Sequence, residues 1–255
     1  MLVSEGSGIR EKMGRPTETT QQGKHIMTDV TGVPPTNDLT EVAIILDRSG
    51  SMQSIKDDME GGLWSLITEQ NGLPGRCRVS LYQFDDQWET VFEAKPSGDI
   101  QQDNCRLVPR GSTALNDSAV KSLSSLEERI LKEAETDRPG KVVVVMITDG
   151  QENASRENTA KDVQEAIGRV TDKYNWEFLF LAADQKGFED GARMMAGTKG
   201  KRLMYDKMDV RGASAGVSEA MSSYRGGGSF DIGTSDVPDS DDSSGSGSGG
   251  APPVH

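Results

Sequence analysis

Histidine, cysteine, clustered basic residues and long apolar runs are all scarce in this 255-residue chain, and each scarcity removes a class of function. The two histidines, His25 and His255, fall in segments without apolar periodicity. A Ser-His-Asp or Cys-His mechanism, or a histidine-ligated zinc, is therefore not expected in the folded part. Two cysteines, Cys77 and Cys105, are too few for a disulfide framework in a chain of this size. Cys77 opens an apolar strand and reads as a buried reduced thiol, with a single bridge to Cys105 as the open alternative. The net charge of −13, 5% aromatic content and absence of any Lys/Arg cluster leave no groove to track phosphates, so nucleic acid is not expected as a partner. No stretch approaches the roughly 20 apolar residues of a membrane span. Met1-Leu-Val runs straight into polar residues, without the apolar core of a secretory leader. No membrane association and a cytoplasmic location are the expectation. There is no G-x-x-x-x-G-K-[ST] string, so any ATPase working with this chain would be a separate polypeptide.

What is present divides into three parts. Residues 1–37 are rich in Thr, Gln, Gly and Pro, their acidic and basic residues cancel, and without periodic apolar positions they cannot repay ordering entropy. They read as a disordered arm, in which Met27 is an alternative translation start. Residues 226–255 carry Gly/Ser repeats and five aspartates with no Lys or Arg, the composition of a disordered acidic tail. Most of the negative charge is left on residues 38–225, the expected domain.

Inside that domain strands and helices alternate, which predicts an α/β fold with a mostly parallel central sheet and helices on both faces. Glu41–Asp47 and Val142–Thr148 are apolar runs without alternation, as strands buried on both faces should be. Arg78–Phe84 and Glu89–Glu93, joined by Asp85-Asp86-Gln87, read as a hairpin whose second arm is an antiparallel edge strand. Met52, Ile55, Met59, Leu63 and Leu66 recur at helical spacing, with Gly61-Gly62 inside the helix suggesting close approach to the sheet. Further helices are expected from Leu115 to Ile130, over Val163–Tyr174 and over Ala213–Tyr224, and further strands over Trp176–Ala182 and Arg202–Tyr205.

The chemistry gathers where two strands end. Asp47 closes the first apolar run and is followed by Ser49 and Ser51; Asp149-Gly150 closes the second. Between them Arg110-Gly111-Ser112-Thr113 stands just ahead of a helical pattern. In open parallel sheets ligands sit outside the carboxyl ends of the strands, and carboxylates with hydroxyls there form an oxygen-donor set for a hard divalent cation. Each residue also has a plain structural reading. Ser49, Ser51 or Thr113 could cap a helix, and Asp149-Gly150 could be a simple turn. Asp117 reads as a solvated or outer group, and Asp85, Glu152 and Asp184 as loop carboxylates that could ring the ion. Arg110 could steer an acidic ligand or be an ordinary surface arginine. The string Leu107-Val-Pro-Arg-Gly-Ser112 coincides with a thrombin-recognition sequence, yet it runs directly into Thr113 and is read as native loop open to that protease.

Taken together and in chain order, Asp47, Ser49, Ser51, Thr113 and Asp149 resemble the metal-ion-dependent adhesion site of the von Willebrand factor A family, over about Asp38 to Arg225. The resemblance implies a Rossmann-like fold. It implies direct coordination by the three hydroxyls, direct or water-mediated coordination by the two aspartates, and an Asp or Glu of a protein ligand completing the shell. All-oxygen ligation selects Mg²⁺, with Mn²⁺ as the alternative. The leading expectation is a non-enzymatic, metal-dependent protein-binding module like the stand-alone intracellular members of bacteria and their phages, some of which work beside AAA+ ATPases. The rival is a metal-assisted hydrolase or phosphatase with Glu152 or Asp184 as base, against which no His, Lys or Cys is evident beside the site. A purely structural ion is the third reading.

Overall fold

The computed structural model describes residues 38–232. The expected arm, Met27, both histidines and the tail beyond Ile232 lie outside the described residues. The chain runs β1 (Thr40–Asp47), α1 (Lys56–Gly72), β2 (Cys77–Phe84), β3 (Trp88–Pro96), α2 (Leu115–Lys132), β4 (Lys141–Thr148), α3 (Ala160–Lys173), β5 (Glu177–Ala182), α4 (Gln185–Met195), β6 (Lys201–Met204) and α5 (Val210–Arg225), with short 3₁₀ turns between. The sheet order is β3-β2-β1-β4-β5-β6. All neighbours are parallel except β2 and β3. The expected α/β architecture with one antiparallel edge strand is what the chain adopts.

β1 is buried at every position, and its side chains alternate between the two faces. Val42, Ile44 and Leu46 enter a core shared with α1 and α5. Ala43 and Ile45 enter another shared with α2, α3 and α4. From β1 the chain moves outward on one side to β2 and later returns to lay β4 on the other, so the strand order switches between β1 and β4. In open parallel sheets ligands sit at such a switch point, outside the carboxyl ends of the strands.

The face carrying Ala43 and Ile45 also holds a fully buried Glu41 at the opposite end of β1. Arg78, its partner in register on β2, donates to it at 2.7 Å, Ser80 at 2.8 Å, and Arg129 of α2 also pairs with it. Glu133, the C-cap of α2, joins the two arginines at 2.9 and 2.7 Å.

Several details differ from expectation, each for a packing reason. The helix after β1 opens as a 3₁₀ segment, Gly50–Ile55, before α1, with Met52 and Ile55 buried in the same core. The Gly61-Gly62 pair serves contact between helices: a Cβ on Gly62 would stand 2.5 Å from Ser214 Oγ, and one on Gly61 3.5 Å from the Arg211 guanidinium, both on α5. α4 was not foreseen. Leu107 is fully buried and its N–H bonds Glu60 Oε1 at 2.8 Å, so the thrombin-like string is an integral loop. Both cysteines are free and buried, and burial pushes the Cys105 thiol up to about 11. The chain past Arg225 stays on the domain as far as it is described. Phe230 and Ile232 are buried, with Phe230 set edge-on to Tyr224 and under the Lys201 ammonium. Among the described residues no helix is long and apolar enough to cross a membrane.

Candidate metal centre

At the switch point the chain leaves β1 through Asp47-Arg48-Ser49-Gly50-Ser51. Asp47 is fully buried; its Oδ1 accepts the Ser49 N–H at 2.6 Å and its Oδ2 accepts Thr148 Oγ1–H at 2.6 Å. Ser49 Oγ lies 3.0 Å from Ser51 Oγ, and Ser51 Oγ donates to Asp149 Oδ1 at 2.5 Å. Asp47, Ser49, Ser51 and Asp149 thus form one continuous row, although the last is 98 residues from its neighbour in that row. Thr113 arrives on a loop stitched to both sides of the row. Gly50 N–H donates to Gly111 O at 3.2 Å and Arg110 N–H to Arg48 O at 2.8 Å. On the other side Asn153 and Ala154 N–H groups donate to Thr113 O at 3.0 and 3.1 Å, while Thr113 N–H donates to Asn153 Oδ1 at 2.8 Å.

The hydroxyls are not engaged as helix caps. The N-cap residue of α2 is Ala114 and that of α1 is Ile55, neither with a side-chain cap bond, and Ser49 makes no cap bond to the 3₁₀ turn it precedes. Adjacent oxygens around an octahedral Mg²⁺ at 2.0–2.1 Å stand about 3 Å apart. The spacing between the two serine hydroxyls suits that geometry. Among the described residues no three His, Cys, Asp or Glu side chains form a metal-holding group, so hydroxyls would have to supply the rest of any protein shell.

The electrostatics point the same way. Burial, with Asp149 adding a like charge, pushes the Asp47 carboxyl up to about 6 against the pull of its Thr148 and Ser49 hydrogen bonds. No cationic side chain among the described residues pairs with Asp47.

The neighbouring carboxylates are otherwise occupied. Asp85, fully buried, accepts from Arg48 Nε at 3.0 Å, Arg110 Nε at 2.7 Å and Gln87 N–H at 2.7 Å, so Arg110 is engaged with the protein itself. Asp117 holds the loop after β4, accepting the N–H groups of Arg156 at 2.7 Å, Glu157 at 3.1 Å and Asn158 at 2.7 Å. Glu152 accepts Ala154 and Ser155 N–H and Ser155 Oγ–H, and its second oxygen also receives Asn116 N–H in the first turn of α2. Asp184 is the N-cap of α4, bonded to Gly187 N–H at 2.7 Å.

Two side chains that touch the candidate site have no counterpart in the sequence reading. Thr148 orients Asp47, and its place beside Asp149 at the end of β4 was a usable signal. Lys207 reaches Asp149 Oδ2 at 2.9 Å from the turn after β6, which corrects the expectation that no lysine stands beside the site. A separation of 58 residues and an ordinary polar turn gave no local sign of it.

Comparison with known proteins agrees with the geometry. No curated protein matches the sequence at a significant level. Solved structures of similar fold include a von Willebrand factor type A protein from Catenulispora acidiphila (14% identity, TM-score 0.53, covering 73% of this chain and 43% of that one). Proximal thread matrix protein 1 from the mussel byssus, solved with a zinc-occupied MIDAS motif, aligns with 14% identity and TM-score 0.52 over 73% of this chain and 46% of its own. The von Willebrand factor domain of the type V pili tip protein Mfa5 from Porphyromonas gingivalis does so with 8% identity and TM-score 0.52, over 73% and 96%. The chain thus spans less than half the length of the first two. The family model for the von Willebrand factor type A domain matches residues 41–218, most of the described fold and all five rim residues, and the chain belongs to that family.

Proposed function

We propose that Asp47, Ser49, Ser51, Thr113 and Asp149 hold one divalent cation, magnesium in preference to manganese, and that the chain is a non-enzymatic protein-binding module. The observation that carries this reading is the row of side-chain oxygens running from β1 to β4, with its hydroxyls left out of helix capping. The bound ion would supply an electrophilic position for an Asp or Glu carboxylate of a partner protein. Asp47, held on both oxygens by Ser49 and Thr148, is placed to orient the shell, and the three hydroxyls to coordinate without neutralising the ion's charge. An all-oxygen donor set favours magnesium over the zinc seen in the mussel protein.

A protein surface, rather than a small molecule, also suits the two loops flanking the row. They carry Val108, 66% exposed, and Met208, 91% exposed, apolar tips that a partner would cover. A separate AAA+ ATPase in the cytoplasm is the proposed kind of partner, by analogy with other family members. The hydrolase reading is weaker, because Glu152 and Asp184, its candidate bases, are committed to backbone N–H groups.

Titration calorimetry with Mg²⁺ followed by affinity capture in Mg²⁺ and in chelator tests the proposal. Uptake of one ion, and a partner retained only in Mg²⁺ and lost with Asp149→Ala, is the expected outcome. Equal retention in chelator, or Mg²⁺-dependent turnover of phosphate or ester substrates abolished by Asp47→Ala, would overturn it.

A further inference from the structure

Asp149 meets a cation of the chain's own. While its Oδ1 accepts from Ser51, its Oδ2 accepts from Lys207 Nζ at 2.9 Å; the carboxylate is fully buried and the lysine side chain 35% exposed. The backbone carrying Lys207 is pinned. Met208 N–H donates to Asp206 Oδ1 at 2.8 Å, Asp209 N–H to Asp206 O at 2.9 Å, and Asp209 caps α5 through Gly212 N–H at 2.9 Å. The movable part is therefore the flexible four-carbon stem, whose outer side already touches water. A lysine suits such a role, since its compact charge rotates freely and lacks the two-pronged grip of arginine on a carboxylate.

The surroundings make the placement informative. Asp47 and Asp149 are two fully buried carboxylates linked through Ser49 and Ser51, and among the described residues Lys207, on Asp149, is the cation that meets the pair. Arg48, in the same turn as the serines, is directed away to Asp85 and Glu89. A divalent ion on the row would stand beside the ammonium, and like charges at that separation repel strongly in a partly buried setting.

We propose that Lys207 is a tethered counter-cation of the metal centre, holding Asp149 when the divalent ion is not bound and turning to solvent when it binds, so that this residue sets the affinity of the site. The inference rests on the assignment of the five rim residues as the metal site.

Calorimetric titration with Mg²⁺ of the full chain and its Lys207→Met, Lys207→Gln, Lys207→Arg and Asp149→Ala variants, paired with thermal unfolding in chelator, tests it. Lys207→Met and Lys207→Gln are expected to bind Mg²⁺ about tenfold more tightly than the parent chain, since a repelling charge has been removed, and Lys207→Arg no more tightly. In chelator the two neutral variants are expected to unfold at lower temperature than the parent, with Mg²⁺ more than restoring the difference. Unchanged or weaker Mg²⁺ binding by both neutral variants, with binding still lost in Asp149→Ala, would overturn the role of Lys207 and leave the metal site standing. Absence of Mg²⁺ uptake in the parent and all variants would overturn both.

Discussion

β1 carries a fully buried carboxylate at each end, on the same face of the sheet, and the protein treats the two in opposite ways. Glu41 is met by two guanidinium groups and a hydroxyl, with Glu133 tying the arginines together. Asp47 accepts from the Ser49 N–H and the Thr148 hydroxyl, and the charge that acts on it is the like charge of Asp149. Glu41 is completed from within and serves the fold. Asp47 is not, and its carboxyl is pushed up to about 6, first by burial. A buried acid short of positive charge is what the proposed metal centre requires of Asp47.

Glu41→Gln tests the first half of this contrast and should have the largest effect. It leaves the partly exposed Glu133 as the one anion shared by Arg78 and Arg129 and is expected to cost about 3 kcal/mol in urea unfolding, equally with and without Mg²⁺. A loss that depends on Mg²⁺ would place Glu41 in the same class as Asp47.

Asp47→Asn tests the second half. In chelator it should stay within about 1 kcal/mol of the parent, because the charge it removes is uncompensated there. Mg²⁺ at a hundred times its dissociation constant should stabilise the parent by about 2.7 kcal/mol and the variant not at all. A variant that gains as much as the parent would remove Asp47 from the metal centre.

Asp117 sharpens the comparison with the smallest effect. Burial alone would raise its pKa, yet the N–H groups of Arg156, Asn158 and Glu157 hold it below the usual carboxylate range. Neutral donors can thus satisfy an acid when there are enough of them. Because the folded value lies below the unfolded one, Asp117 contributes stability above about pH 4 that is lost as pH falls through the folded value. Asp117→Asn should cost about 1–2 kcal/mol at pH 7, with the deficit vanishing in acid; a deficit independent of pH would mean that the charge has no part in holding the loop.

Much of this was legible before any coordinates. β1 and β4 are unbroken apolar runs because both faces are covered, and the aspartates that stop them stand where a parallel sheet places its ligands. The missed elements are those whose logic is tertiary. α4 reads poorly as a helix because it contains Gly187 and Gly191. A Cβ on the first would stand 2.7 Å from Gly150 O, and one on the second 2.4 Å from the Phe180 ring, so both glycines answer to close packing that no local pattern reveals. Gly61-Gly62 signals a close approach, but spacing along one helix does not say whether sheet or helix presses on it, and here it is α5. Lys207 and the Arg78–Glu41–Arg129 network join residues far apart in the chain. Phe230 and Ile232 were hidden by the Gly/Ser-rich composition around them.

The closing stretch of the described chain bears on how this protein should be shortened for biochemical work. Lys141 at the start of β4 caps the end of α5, its ammonium bonding Tyr224 O at 2.5 Å and Arg225 O at 2.9 Å and sitting over the Tyr224 ring. Phe230 then folds back on that same tyrosine. A truncation placed at the last helical residue would strip a ring from the foot of the central strand that carries Asp149 at its other end. A minimal version should therefore extend at least to Ile232, seven residues further along, which is buried with Phe230.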